Sequence, residues 1–127
     1  MYKILIVEDE PEMAKVLREF LARTGFEVFT ALGGEKAIEI LNSAVKIDFI
    51  ILDMKMPKVS GIEVLSEMRN KNLTYPFIIL TGSIDQDKYI RDIKNMGYPS
   101  VEIISKPVDL FELVVIIKNK LDLKRNS

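Results

Sequence analysis

Residues 49–57 read FIILDMKMP. Three apolar residues follow Phe49, and the run then stops on a single carboxylate, Asp53. An unbroken apolar run of this length is the pattern of a strand buried on both faces, which is how strands of a parallel sheet read. The acid at its end asks what else lies at the same edge of that sheet.

Working outward, four more runs of strand length flank this one. The five predicted strands are 2–7, 27–31, 48–52, 77–80 and 101–104, each rich in Ile, Val, Leu or Phe. The segments between them repeat at helical spacing. In the first, Met13, Leu17, Phe20, Leu21 and Thr24 share a face, with Pro11 suited to the first helical position and Gly25 to the stop. The second uses Ala37, Ile38 and Leu41; the third starts after Ser60-Gly61 and uses Ile62, Leu65 and Met68. The fourth spans about 85–96 and ends at Gly97, and the fifth runs from 109 to about 121.

Strand–helix alternation with short loops predicts an α/β fold, a doubly wound parallel sheet of five strands with five helices on its two faces. The order 2-1-3-4-5, the flavodoxin-like one, fits five such units. At 127 residues the chain is one domain, with a core over about 2–121 and a C-terminal tail at 122–127. No internal repeat or low-complexity linker interrupts it.

Composition narrows the chemistry. The 18 basic and 19 acidic residues nearly cancel, so no basic footprint for nucleic acid is present and no basic helix suits anionic lipid. There is no Cys and no His. Thiolate sites and disulfides are excluded, and any metal must be held by oxygen, which favours Mg²⁺ or Mn²⁺. The apolar stretch after Lys3 is too short for a secretory signal core, and no stretch reaches the roughly 20 apolar residues of a membrane span. A cytoplasmic location is the expectation.

In a doubly wound sheet, ligands bind beyond the carboxyl ends of the strands, at the switch point between strands one and three. The residues just past each predicted strand therefore matter most. They are Glu8-Asp9-Glu10, Asp53, Thr81-Gly82 and Ser105-Lys106-Pro107, while strand two ends in the bland Ala31-Leu32-Gly33-Gly34. Adjacent strands lie ~4.8 Å apart, so Glu8, Asp9 and Asp53 should cluster, with Thr81 and Lys106 beside Asp53. Three carboxylates this close either share a proton or hold a cation. An oxygen-ligated cation, a lysine and a hydroxyl around a carboxylate make a place where a phosphoryl group can be carried on that carboxylate. Each residue alone has a plainer reading: Asp53 as a turn cap, Glu8 and Asp9 as favourable charges at a helix start, Thr81 as a strand residue, Lys106 as a solvated loop cation.

Taken in order, these residues resemble a known family. LIVEDE, DFIILDMKMPKVSGIEVL, IILTGS and IISKPVDL match, over about residues 2–121, the receiver domains of two-component response regulators. The resemblance implies that Asp53 is the phosphoacceptor, Thr81 the switch hydroxyl and Lys106 the family's lysine. It implies Mg²⁺ bound directly by Asp9, Asp53 and the backbone carbonyl of Lys55, with Glu8 acting mostly through water, and a cis bond between Lys106 and Pro107. It implies a histidine kinase or histidine phosphotransfer protein as donor, and a downstream protein target or an effector domain as recipient of the signal. The protein would catalyse only its own phosphorylation and dephosphorylation and would not be a turnover enzyme.

Three rival readings fit these residues less well. A phosphatase of the haloacid dehalogenase type carries a second acid two residues after its nucleophile, where this chain has Lys55. A flavodoxin-like cofactor carrier needs a Ser/Thr/Gly-rich phosphate loop after strand one, where EDEPE would repel phosphate. A receiver-like module that works by binding alone is opposed by the intact acid set.

The chain also departs from the family. Ile103 stands three residues before Lys106, where an aromatic usually reports the phosphorylation state. The loop GYPSVEIISKP is longer than usual and carries a bulky Tyr98, which is expected to remodel this surface or take over the missing aromatic's packing. Lys55 and Ser83, each two residues past a site residue, bear on the lifetime of a phosphoryl group. On the fifth helix, Leu110, Leu113, Val114, Ile117 and Leu121 form a core stripe, leaving Phe111, Val115 and Ile116 outside it. With Ile103, these three make an expected switch or partner surface, suited to a phosphorylation-dependent homodimer.

Overall fold

A computed structural model of the protein describes residues 1–82, 84 and 86–126, with the backbone alone described for 123–126. Five strands alternate with five helices: β1 (Lys3–Val7), α1 (Pro11–Arg23), β2 (Glu27–Ala31), α2 (Gly34–Leu41), β3 (Phe49–Asp53), α3 (Gly61–Asn70), β4 (Phe77–Thr81), α4 (Gln86–Asn95), β5 (Ile103–Ser105) and α5 (Leu110–Asn126). The strands form one parallel sheet in the order β2-β1-β3-β4-β5. This is the expected doubly wound, flavodoxin-like arrangement, with the strand order reversing between β1 and β3.

Alternation along the strands splits the core into two layers. Leu5, Val7, Ile50, Leu52 and Ile79 face one side, under Ala37 and Leu41 of α2, Val64, Leu65 and Met68 of α3 and Ile93 of α4. Ile4, Ile6, Phe49, Ile51, Ile78 and Leu80 face the other, under Leu17 and Leu21 of α1 and Leu113, Ile117 and Leu121 of α5. The three central strands are buried on both faces, which is why their sequences are continuous apolar runs. Burying one Leu or Ile side chain contributes about 1.5–3 kcal/mol, so these two layers dominate the stability.

Several boundaries differ from the sequence expectation. β3 takes in Asp53 and β4 takes in Thr81, because both residues stay in ladder register, Asp53 against Leu80 and Thr81 against Ser105. β5 starts at Ile103 and is three residues long, so the segment between α4 and β5 is longer than the apolar run suggested. Gly61 is the first residue of α3, not its leader, and Ser60 caps the helix by accepting the Glu63 amide at 3.3 Å. Ala14 and Val64 are buried where Met13 and Ile62 are half-buried, while Leu17, Leu21, Leu65 and Met68 are buried as expected. Thr24 caps α1, bonding its hydroxyl to the Leu21 carbonyl. α5 continues through Asn126, for LDLKRN contains neither Gly nor Pro to stop a helix.

Candidate functional site

All of the strand-end residues meet at the carboxyl edge of the sheet. Asp53 ends β3, 2 % exposed, and Glu8 follows β1, fully buried. The Glu8 amide is bonded to the Ala31 carbonyl of β2 at 3.1 Å, so the β1 ladder still holds the backbone where the acids begin. Asp9 is half-buried, and one carboxylate oxygen from each of Glu8, Asp9 and Asp53 lies within 4.8 Å of the others.

Lys106 closes the group from the β5 side. Its Nζ lies 3.4 Å from Asp53 Oδ1 and 3.3 Å from Glu8 Oε2. The Lys106 amide donates to the Thr81 carbonyl at 2.9 Å, which extends the β4–β5 ladder by one residue, and the Lys106–Pro107 peptide is cis. Thr81 is buried at the end of β4. Asp9, Glu10, Asp53, Lys55, Thr81, Gly82 and Lys106 line an open cavity of about 350 Å³. Glu10 is a member the strand-end pattern displayed without marking; its amide reaches back to Glu8 Oε1 at 3.3 Å.

The stretch 53–57 now has a local explanation. Met54 and Met56 are buried, and Lys55 between them is exposed at the rim of the cavity. The Lys55 amide donates to Asp53 Oδ1 at 3.4 Å. Gly61 packs against the turn from the other side: a Cβ there would sit 2.7 Å from Met54 Sδ and 2.8 Å from the Asp53 carbonyl oxygen. No larger residue fits without moving the backbone that carries Asp53.

Electrostatically the buried acids outnumber Lys106, the lysine within ion-pair reach of them among the described residues. Burial, with the Asp53 charge added, pushes the Glu8 carboxyl up to about 7 despite the opposing Lys106. Burial also raises Asp53, opposed chiefly by Lys106. For Lys106 burial acts downward, but the Asp53 and Glu8 carboxylates outweigh it and hold the ammonium protonated. Glu8 Oε2 is fully buried with no hydrogen bond aligned on it, although Lys106 Nζ stands within ion-pair reach. An unsatisfied oxygen beside two further carboxylates is a donor set short of a cation.

Ile103 is half-buried and packs into the core layer below α4. Phe111 and Val115 are exposed at 78 % and 57 %, but Ile116 is half-buried against the α1–α5 core layer and does not belong to the exposed face. At position 116 the helix turns toward that layer, so the predicted face narrows to Phe111 and Val115, with Phe111 edge-on to Phe20 of α1 at 5.6 Å. Ser83 lies outside the described residues. Tyr98 packs edge-on against Phe77 at 5.1 Å, and its hydroxyl donates to the Leu65 carbonyl at 3.1 Å. Gln86 at the start of α4 donates to Ser105 Oγ at 2.7 Å, a link the sequence did not signal.

The fold and the site define a class: a doubly wound α/β domain with an acidic cluster and a lysine gathered at its switch point. Comparison with known proteins narrows it. Residues 4–118 match the family described as the response regulator receiver domain. The chain is 32 % identical over 121 residues to the response regulator SaeR of Staphylococcus aureus, covering 95 % of this chain and 51 % of SaeR. The chain thus spans about half the length of that relative. A receiver domain from Clostridium thermocellum superposes with a TM-score of 0.86 at 32 % identity, covering 98 % of both chains. The response regulator TrrA of Thermotoga maritima, solved in complex with Mg²⁺ and BeF, gives 0.77 at 34 % identity over 95 % of this chain and 99 % of that one. The chain belongs to the response regulator receiver domain family and is a receiver domain of a two-component system.

Proposed function

We propose that this domain is a phosphorylation-dependent switch that takes a phosphoryl group onto Asp53 from a phosphohistidine. The supporting observation is the placement of Asp53: a buried carboxylate at the floor of an open cavity, 3.4 Å from a lysine and within 4.8 Å of two more acids. A carboxylate oxygen of Asp53 attacks phosphorus, the partner's P–N bond breaks, and the imidazole leaves and regains a proton from solvent. These 127 residues contain no His, so the phosphohistidine lies outside them, on a histidine kinase or a histidine phosphotransfer protein.

The three carboxylates fit Mg²⁺, a hard cation that binds through one or two carboxylates and keeps waters. Asp9, Asp53 and the Lys55 carbonyl would hold it, with Glu8 behind them through water. Bound there, it would neutralise charge between the acids and the phosphoryl oxygens. Lys106, already held protonated by the acids, offers its ammonium to one phosphoryl oxygen, and the Thr81 hydroxyl donates to another. The bond to Thr81 draws the end of β4 toward Asp53 and biases the adjoining loop and helix α4 between two arrangements. The domain catalyses its own phosphorylation and dephosphorylation, and its output goes to a cytoplasmic protein target or to an effector domain. No helix among the described residues is long and apolar enough to cross a membrane.

Lys55, exposed at the cavity rim, also sets the lifetime of the phosphoryl group by covering it from water. Lys55→Ala is expected to dephosphorylate faster in single-turnover phosphate release; an unchanged rate would refute this role. The main test is incubation with Mg²⁺ and acetyl phosphate followed by intact mass. One added phosphoryl group, absent in Asp53→Asn and with EDTA, is expected. An adduct that persists in Asp53→Asn, or no adduct together with no beryllofluoride complex, would overturn the reading.

A further inference from the structure

The groove between α1 and the edge strand β2 takes no part in the phosphoacceptor chemistry. It is a cavity of about 340 Å³ lined by Pro11, Ala14, Lys15, Arg18, Thr30 and Leu32, and it shares no lining residue with the cavity over Asp53. Pockets that take small molecules run from roughly 300 to 1,000 Å³, so this one suits a small ligand. Its lining divides by chemistry. Pro11, Ala14 and Leu32 form an apolar wall, and Leu32 is 54 % exposed. Lys15 and Arg18 are neighbours at i and i+3 on α1, and neither forms an ion pair among the described residues.

Thr30 supplies the third feature. It pairs with Ile6, whose side chain belongs to the α1–α5 core layer, so Thr30 stands on the α1 side of the sheet. Its Oγ1 is buried without a hydrogen-bond partner, a state native structures seldom leave unexplained. The backbone adds a donor. Glu27 donates to the Tyr2 carbonyl and Ala31 accepts from the Glu8 amide, so the odd-numbered residues of β2 face β1. By alternation the Thr30 amide faces the open edge of the sheet. Two cations without an ion pair among the described residues therefore share one cavity with an apolar wall, and the Thr30 hydroxyl lies enclosed, closed to solvent.

We propose that this cavity binds a small organic anion, with its oxyanion head between Lys15 and Arg18 and its apolar body against Pro11, Ala14 and Leu32. The Arg18 guanidinium provides the planar fork that pairs with an oxyanion, and Lys15 a mobile point charge. Pro11 directly follows Glu10, which lines the Asp53 cavity, so an occupant here would lie against the first turn of α1, next to the acid-bearing segment.

The test is a titration of the ¹⁵N-labelled protein with phenylphosphonate, which pairs an apolar ring with a phosphoryl group that cannot be transferred, followed by amide NMR. Benzyl alcohol is the neutral control. Saturable shifts are expected at Lys15, Arg18, Thr30 and Leu32, unchanged in Asp53→Asn. Affinity should fall by about tenfold or more in Lys15→Gln/Arg18→Gln, the loss expected for two charge-assisted contacts. Equal binding of benzyl alcohol, equal binding by the double variant, or shifts confined to the Asp53 cavity that vanish in Asp53→Asn would each overturn the proposal.

Discussion

Glu8 is the most deeply buried charged residue among those described. It is fully buried, its carboxyl is pushed up to about 7, and one of its oxygens has no aligned donor. The sign of the consequence follows from linkage. The folded state holds the proton more tightly than the unfolded chain, whose carboxyl titrates near 4.5. Glu8 therefore contributes stability that is complete below about 4.5 and is lost as pH rises through about 7. Without metal, the protein is expected to be less stable at pH 8 than Glu8→Gln by about 1–3 kcal/mol, the difference shrinking toward pH 5. Urea denaturation of both proteins in EDTA at the two pH values measures this. A difference that grows toward low pH would contradict the assignment. The same substitution should weaken Mg²⁺-dependent phosphorylation, so stability is exchanged for chemistry at this position.

At the scale of elements, the segment between α4 and β5 is fastened to α3 by a clasp that Tyr98 and Arg69 build. The Tyr98 hydroxyl reaches the Leu65 carbonyl, its ring packs on Phe77, Arg69 lies 5.5 Å above the ring, and Arg69 Nε donates to the Met96 carbonyl at 3.1 Å. Burial raises the Tyr98 phenol, with Arg69 opposing, so the hydroxyl stays a donor at neutral pH. Tyr98, expected either to remodel this surface or to take over the missing aromatic's packing, sets its ring on Phe77 of β4 and its hydroxyl on α3. Tyr98→Phe is expected to cost about 0.5–1.5 kcal/mol by losing one hydrogen bond, and Tyr98→Ala about 1.5–3 kcal/mol by also removing the half-buried ring from Phe77. Chemical denaturation gives both; equal costs would mean that the hydroxyl, not the ring, holds the segment. The helices and strands of this region were legible from apolar periodicity, because burial sets that period. The clasp was not, because Arg69 and Met96 are distant in sequence and their bond depends on where α3 and α4 lie on the sheet.

For the whole molecule, the two layered cores leave few large apolar side chains in water. Phe111 and Val115, exposed on one face of α5 beside Phe20, make a small apolar patch. If the phosphorylated domain pairs through this face, Val115→Lys should leave stability within about 0.5 kcal/mol and lower the association of the beryllofluoride-loaded protein in analytical ultracentrifugation. Association equal to that of the parent would rule the face out.

The order of apolar runs and amphipathic segments determined the α/β architecture, since a strand buried on both faces and a helix buried on one each demand their own spacing. Strand-end residues determined which groups stand at the carboxyl edge: once Asp53 ends β3, a parallel neighbour brings Glu8 and Asp9 to the same level. Tertiary structure alone decided the distances and charges among them. That Lys106 spans from Asp53 to Glu8, that Ile116 turns inward while Phe111 does not, and that the Thr30 hydroxyl is left without a partner beside Lys15 and Arg18 all depend on contacts between segments far apart in sequence. Periodicity assigns a residue to a face; only packing decides how deeply it sinks and which charge it meets there.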